Sequence, residues 1–332
     1  IIFFGILIIR HFYLNATHNI EDVNPAIAGF LGGLGLPIIF SWIVGGLFAA
    51  GVAFVIGKVA LGLRSDYLAI VTLGISEIVV SVLKHEEWLS RGVKNVIGLK
   101  RPVPYEIDLQ NADWFINLVT YLNSSKLNNI IDVSDRQQVL NNLIIDGSGI
   151  FVKLSYAILF LIVMLIIFYF ANKAQLSPWG RMMRAIRDNE TAANAMGKDV
   201  VKQHLIIFVI GAAIVGVAGA MLVTLDGLFT PSGYRPLRFT FIIWIMVIVG
   251  GSGNNLGAIF GGFVIWFSWI EAAPLTTFII NQLTVGLEPT NALKLHLLDS
   301  VPYFRYLFMG LILLLILRYR PKGIIPEKIR HS

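Results

Sequence analysis

Cysteine is absent from the 332 residues, so no disulfide framework stands behind the fold. Charge is scarce as well. Asp, Glu, Lys and Arg make up 14% of the chain, against about 25% in an ordinary soluble domain. That deficit excludes a set of soluble domains, because such a chain cannot cover its surface with polar side chains. It equally excludes a disordered or collagen-like chain, since 56% of the residues are hydrophobic and the mean hydropathy is +0.74. What is present is apolar sequence in long uninterrupted runs, and the solvent of this chain is largely lipid. The net charge of +6 is read as a surplus of basic residues in cytoplasmic loops rather than a nucleic-acid footprint.

A helix needs ~20 apolar residues to cross the ~30 Å hydrocarbon core. Residues 23–57 carry no charge, and neither do 154–172 (bounded by Lys153 and Lys173), 205–225 or 239–270; residues 67–83 are interrupted only by Glu77. The short run 306–317 gains length if it extends back past a snorkelling Arg305. As one helix, residues 239–270 would measure ~48 Å, so the segment is split at Gly250-Gly251-Ser252-Gly253-Asn254-Asn255. A similar break near Gly32-Gly33-Leu34-Gly35-Leu36-Pro37 leaves one full helix at 38–57. The first residue is Ile1, inside an apolar run, and the sequence is read as most of a longer chain whose residues 1–14 are the tail of a helix. The expected fold is an all-α integral membrane protein, a polytopic helical bundle with about 7 crossings, one of them partial, forming a single domain over residues 1–332.

Orientation follows from the basic residues of the short loops. Residues 172–204 hold six Lys or Arg, the tail holds Arg318, Arg320, Lys322, Lys328 and Arg330, and 58–66 adds Lys58 and Arg64. Placing these three segments in the cytoplasm makes every span count agree and leaves 15–37, 84–153, 226–238 and 272–302 outside. The 70-residue loop 84–153 carries eight basic residues but is long enough to be exempt from the rule. Its stretches Trp114-Phe115-Ile116-Asn117-Leu118-Val119 and Val139-Leu140-Asn141-Asn142-Leu143-Ile144-Ile145 read as two short amphipathic helices on the extracytoplasmic surface.

The chain offers no catalytic or nucleotide site. Residues 51–58 space Gly51 from Gly57-Lys58 one residue too widely for a phosphate-binding loop and lack the hydroxyl that holds magnesium. The six His residues have no metal-ligand spacing. Metal and cofactor sites in this chain are therefore expected to be none, and ATP with its magnesium is expected on a partner.

Between two spans, residues 181–197 read as a single helix with a Gly197 stop. Arg184, Arg187 and Thr191 share one stripe, with Met183, Ile186, Glu190 and Ala193 on the next. Two readings are open: a basic amphipathic helix resting on anionic headgroups, or a docking helix whose small Ala residues let a cytoplasmic partner approach closely.

Four motifs, in order along residues 60–325, resemble the LivM-type permease of branched-chain amino acid ABC importers. They are Leu63-Arg64-Ser65-Asp66-Tyr67-Leu68-Ala69-Ile70-Val71-Thr72-Leu73-Gly74, the stretch 180–197 with Arg184-Ala185-Ile186-Arg187-Asp188-Asn189-Glu190 and Ala192-Ala193, the turn Gly250-Gly251-Ser252-Gly253-Asn254-Asn255-Leu256-Gly257-Ala258 followed by Gly261, and the tail Arg320-Pro321-Lys322-Gly323. Ser65 stands where a Gly is the family pattern, and the 100–153 insertion and the extended 272–302 loop depart from it. The resemblance implies a multi-pass subunit of a bacterial inner membrane importer with a cytoplasmic C-terminus. Its implied partners are a second permease, two cytoplasmic ATPases and an extracytoplasmic substrate-binding protein. It also implies that residues 173–204 are the coupling segment, with Arg184, Arg187, Glu190, Ala192, Ala193 and Gly197 at the ATPase.

Within the membrane, Glu77 is the sharpest single residue, since a carboxylate at mid-helix costs ~2.5–3.5 kcal/mol on insertion scales. It is expected to face the bundle or water, as a pathway residue or a structural acid, with Ser76 and Ser81 as partners. Gly250, Gly251, Gly253, Gly257 and Gly261 are expected to serve the turn and close helix packing. The competing functions are an ion-coupled secondary carrier, which needs several membrane acids where only Glu77 is found, and a membrane enzyme, whose cluster of Asp, His or Lys is absent. The cargo stays open between branched-chain amino acids and urea or short amides.

Overall fold

The computed structural model describes residues 37–62, 65–86, 96–97, 99, 101–129, 132–231, 233, 236–286, 288 and 291–327, without the side chains of 65, 66, 69, 97 and 236–238. The expected helix tail at 1–14, Leu63, Arg64 and the last basic residues Lys328 and Arg330 lie outside the described residues. The chain divides into two compact units, 1–233 and 234–332.

The first unit contains α1 (Ile38–Ala60), α2 (Ser65–His85), β1 (Val96–Ile97), α3 (Glu106–Gln110), α4 (Asp113–Leu122), α5 (Ser124–Asn128), α6 (Val133–Leu176), α7 (Pro178–Asp188), α8 (Glu190–Ala195), α9 (Val200–Asp226) and β2 (Leu228–Phe229). The second contains α10 (Pro236–Gly250), α11 (Asn255–Leu283), α12 (Ala292–Asp299) and α13 (Val301–Tyr319). Among the described residues five helices, α1, α6, α9, α11 and α13, are long and apolar enough to cross a membrane; in α10 the apolar stretch is the shorter Phe239–Gly250. With α2, these account for the seven hydrophobic segments read in the sequence. The protein is an all-α polytopic membrane protein, its only ladder among the described residues being the two-residue antiparallel pairing of Val96 with Phe229 and Ile97 with Leu228.

In the first unit α1 and α9 pack antiparallel through small residues. A Cβ on Gly46 would meet Val217 Cγ2 at 2.8 Å and Ala213 O at 3.0 Å, and one on Gly216 would meet Gly45 O at 2.8 Å. Glycine is needed here because the backbones themselves touch, which is how helices adhere where lipid removes the hydrophobic drive. The antiparallel crossing sets Lys58, at the end of α1, at the same end as Lys202 at the start of α9. Lys58 and Lys173 each lie over an aromatic ring one turn back, Phe54 at 4.8 Å and Tyr169 at 5.3 Å, as expected of cations at a membrane boundary.

The 100–153 insertion departs from the expected pattern. Residues 139–145 are not a separate short helix; they belong to the first turns of the 44-residue α6. Asp132 caps it by accepting from Ser134 N at 3.0 Å, and the Ser134 hydroxyl and backbone N–H together hold the Asp132 carboxyl below the usual carboxylate range. Polar positions such as Asp135, Arg136 and Asp146 on this stretch look like loop to a hydropathy reading, yet they are the solvent side of a helix. Its other side buries Ile144, Val152 and Tyr156 against Val103, Leu109, Phe115 and Val119 of the α3–α4 region, so that α3–α5 form a cap on α6.

In the second unit α11 does not stop near residue 270 but continues through Glu271 and Pro274 to Leu283, which shortens the expected 272–302 loop. The core of this unit is Ile242, Ile245, Val249, Ile265, Trp269 and Met309, contributed by α10, α11 and α13. Here α13 starts at Val301, so the apolar run extends back past Arg305. The Arg305 guanidinium lies 5.7 Å from the Trp269 ring centroid.

Candidate functional site

The segment between α6 and α9 is a built element rather than one helix. Ser177 ends α6 and starts α7: its hydroxyl donates to Ala174 O at 2.7 Å and accepts from Gly180 N at 3.2 Å, with Pro178 at the first helical position. A Cβ at Gly180 would run into the carbonyls of Ala174 and Gln175, so only glycine lets α7 fold back this tightly. The expected continuous helix over 181–197 is broken at Asn189, whose backbone is extended (φ −155°, ψ 96°) and whose side chain accepts from Ala192 N at 2.9 Å to cap α8. The break follows from the Asn side chain, which offers the α8 N-terminus a better partner than continued helix would. Gly197, at φ +75°, closes α8: its N–H donates to Asn194 O at 2.9 Å and that of Lys198 to Ala193 O at 3.2 Å. Asp199 then caps α9 through Lys202 N.

Three caps in succession fix the path, and a small core holds it. Ile186, Ala193 and Val200 are buried together, with Met182 and Met183 packed against them. Trp179 Nε1 donates to Gln203 Oε1 at 3.0 Å, tying α7 to α9. Of the candidate docking residues, Arg184, Arg187, Glu190 and Ala192 are exposed, whereas Ala193 is buried in the core and Gly197 shapes the turn. Because the backbone changes course at Asn189, Thr191 does not continue the stripe of Arg184 and Arg187. Arg184 donates to Gln175 O at 3.4 Å, and Arg187 pairs with Asp188 at 3.1 Å on an exposed surface.

The turn and tail motifs, about 70 residues apart in sequence, meet in the second unit. Ile324 N donates to Val249 O at 2.9 Å, Ile325 N to Gly250 O at 3.0 Å, and Asn254 Nδ2 to Pro326 O at 3.3 Å. Gly251 (φ +117°) and Gly323 (φ +79°) lie backbone against backbone, where a Cβ on either would overlap the other segment. Gly250, Gly257 and Gly261 bring α10 and α11 together, a Cβ on Gly257 meeting Gly250 O at 2.6 Å, while Gly253 lies against the Glu327 side chain. The single spacing of four read along 253, 257 and 261 therefore resolves into two contacts, one with α10 and one with the tail.

Glu77 stands on α2 with its side chain exposed, and neither serine joins it: Ser76 Oγ donates to Leu73 O at 2.7 Å, and Ser81 Oγ lies 3.4 Å from His85 Nδ1. On the opposite face of α2, Ile75 and Val79 line an apolar groove of ≈ 720 Å³ with Val44, Leu47, Phe48, Gly51, Val52, Val55 and Ile56 of α1. Among the described residues no group of three His, Cys, Asp or Glu could hold a metal ion. The sequence reading missed the Gly45-Gly46 and Gly216 crossing, for which the pairing of Gly-Gly on α1 with Gly on α9 inside apolar runs is the available signal.

A family described as the branched-chain amino acid transport system, permease component, matches residues 6–317. The chain belongs to this permease family. It is 26% identical to the probable branched-chain amino acid transport permease protein LivM of Methanocaldococcus jannaschii over 318 residues, 95% of this chain and 74% of that protein. It is 28% identical over 283 residues to the high-affinity branched-chain amino acid transport system permease protein LivM of Escherichia coli, covering 85% of this chain but 56% of that protein. A weaker match, 27% over 148 residues, is to the probable permease protein LivH of Methanocaldococcus jannaschii. The matched relatives are transport permeases rather than enzymes. No solved structure matches this permease significantly.

Proposed function

We propose that this permease is a membrane subunit of an ATP-driven importer, moving branched-chain or related small amino acids by alternating access. The observation that carries the reading is the capped α7–α8 element, which holds its own core and turns Arg184, Arg187, Glu190 and Ala192 outward between two spans. An element that only rested on lipid would not need a fixed break and three side-chain caps. It would need an apolar face, and the apolar face of α7 is instead spent on Ile186 and the residues around it. A rigid, small-sided, charged knob suits a protein cleft. In this reading the knob sits in a partner ATPase, which binds ATP and magnesium, and the permease pairs with a second permease and receives cargo from an extracytoplasmic binding protein. The membrane is the plasma membrane, and the positive ends of the helices and the C-terminal tail lie on its cytoplasmic side.

Charge reversal by Arg187→Glu together with Glu190→Lys tests the knob, with co-purification of the ATPase as readout. Loss of the partner with the permease still monodisperse is the expected result, and full retention refutes the docking role. Uptake competition in the presence of purified binding protein decides among branched-chain amino acids, urea and short amides.

A further inference from the structure

We infer that α4 is an in-plane membrane helix whose apolar stripe lies in the lipid headgroup layer beside α6. Three observations carry this. The first is the division of α4 into faces. Phe115 and Val119 are buried against α6, whereas Trp114, Leu118, Tyr121 and Leu122 are 55%, 41%, 79% and 70% exposed. At 100° per residue these four fall within one third of the helix circumference, and Asp113 and Asn117 lie along its polar edge. A solvated surface helix does not present two aromatics and two leucines in one stripe, whereas an interfacial helix does, with Trp and Tyr at headgroup level.

The second observation is height. The buried anchors of α4 meet α6 at residues 147–151: a Cβ on Gly147 would touch Val119 Cγ2 at 3.4 Å and Phe115 Cζ at 3.6 Å, and the Phe115 and Phe151 rings are 5.8 Å apart. The charge-free span of α6 begins directly after Lys153. At 1.5 Å per residue α4 therefore lies ~5–10 Å beyond the start of the hydrocarbon. The headgroup layer is ~5–7 Å thick on each side, so α4 falls within it or at its edge.

The third observation is continuity. Trp114 packs edge-on against Phe151 at 5.9 Å, next to Ile150, which is exposed and heads the stripe Ile150, Leu154, Ile158, Leu161 and Leu165 along the outward face of α6. Lipid that wets that face therefore lies beside the Phe151–Trp114 pair. The occupant is thus a phospholipid layer rather than a soluble protein.

The absence of cysteine makes the test direct. Single substitutions Leu118→Cys, Tyr121→Cys and Leu122→Cys, with Asp113→Cys and Asn117→Cys as polar-edge references, are spin-labelled in the full chain. The labelled chains are reconstituted in vesicles of phosphatidylethanolamine and phosphatidylglycerol. Collision with oxygen is then compared with collision with a water-soluble nickel chelate. The expected result is that oxygen dominates at 118, 121 and 122 and nickel at 113 and 117. Because all five positions are exposed, the labels leave the α4 core in place, and loss of one variant leaves its neighbours on the stripe to report. Nickel access at 118 and 122 equal to that at 113 overturns the inference. So does shielding of the stripe that appears only when a soluble extracytoplasmic protein is added, which would assign the face to that protein.

Discussion

Trp42 Nε1 donates to Thr224 Oγ1 at 3.2 Å, joining α1 to α9 across 182 residues. The same threonine donates its hydroxyl to Met221 O at 2.8 Å and accepts the Tyr156 hydroxyl on its carbonyl at 3.1 Å. The long helices α1, α6 and α9 thus meet at one small polar residue. Thr224→Val keeps the shape and removes the acceptor, leaving the indole N–H unpaired. A buried unpaired donor costs ~1–3 kcal/mol in water-soluble proteins, and interhelical bonds in membranes average ~0.6 kcal/mol. The expected loss is ~1 kcal/mol in a detergent unfolding titration, with a coupling of similar size in a Trp42→Phe, Thr224→Val cycle. Strict additivity would show that the bond contributes nothing.

The α1–α9 crossing separates glycines that matter from glycines that do not. Gly216→Leu drives a side chain into Ala49 and the Gly45 carbonyl and is expected to destabilise by ~3 kcal/mol or more. A Cβ at Gly211 or Gly219 meets nothing within 4 Å, and Gly211→Leu and Gly219→Leu are expected to be near neutral. Thermal unfolding of the three variants in one detergent checks this, and equal losses would place the crossing elsewhere.

At Asn189 the prediction concerns local order. Asn189→Ala deletes the α8 cap at a cost of ~0.5–2 kcal/mol, whereas Asn189→Asp retains the acceptor. Hydrogen exchange at the amides of 190–195 is expected to rise in the first and stay protected in the second. The same protection in both variants would mean that the core of Ile186, Ala193 and Val200 holds α8 without its cap.

The junction of turn and tail predicts that Gly251→Ala and Gly323→Ala each free residues 320–327. Both force a side chain into left-handed backbone, at ~1–2 kcal/mol, and into the opposing segment as well. Limited proteolysis of the tail is the measurement. Gly310→Ala, on a helix with open space around it, is the control and is expected to leave the tail protected.

For Glu77 the expected outcome is that Glu77→Gln lowers uptake into proteoliposomes while assembly, read by size exclusion, is unchanged. Unchanged uptake would leave it a purely structural acid. Its exposed position on α2, away from Ser76 and Ser81, makes a contact outside α2 the source of any effect.

Much of this architecture was legible because charge marks the edges of lipid. Lys153 and Lys173 bracket the apolar part of α6, Asp226 ends α9, and the glycine turn at 250–253 separates α10 from α11. Hydropathy says less once a helix leaves the bilayer. The polar first turns of α6 look like loop, and Glu271 and Pro274 look like an ending that α11 runs through. Breaks set by one side-chain hydrogen bond, as at Asn189, leave no mark on apolar periodicity. Small residues within apolar runs do carry a signal, but without the fold nothing says which helix they face, as with Gly45, Gly46 and Gly216. At the candidate site, sequence located the segment and its exposed charges, but the burial of Ala193 and the turn-making role of Gly197 required the fold.

Because α6 runs unbroken from Val133 to Leu176, the α3–α5 cap, packed along residues 144–156, and the α7–α8 element at the C-terminal end are fastened to one rod. The ~27 residues from the α4 contact near residue 149 to Leu176 make a lever ~40 Å long, on which a tilt of ~5° about one end sweeps the other through ~3.5 Å. With Ser177 alone between α6 and α7, a push on the knob has no slack to take up before it reaches the cap.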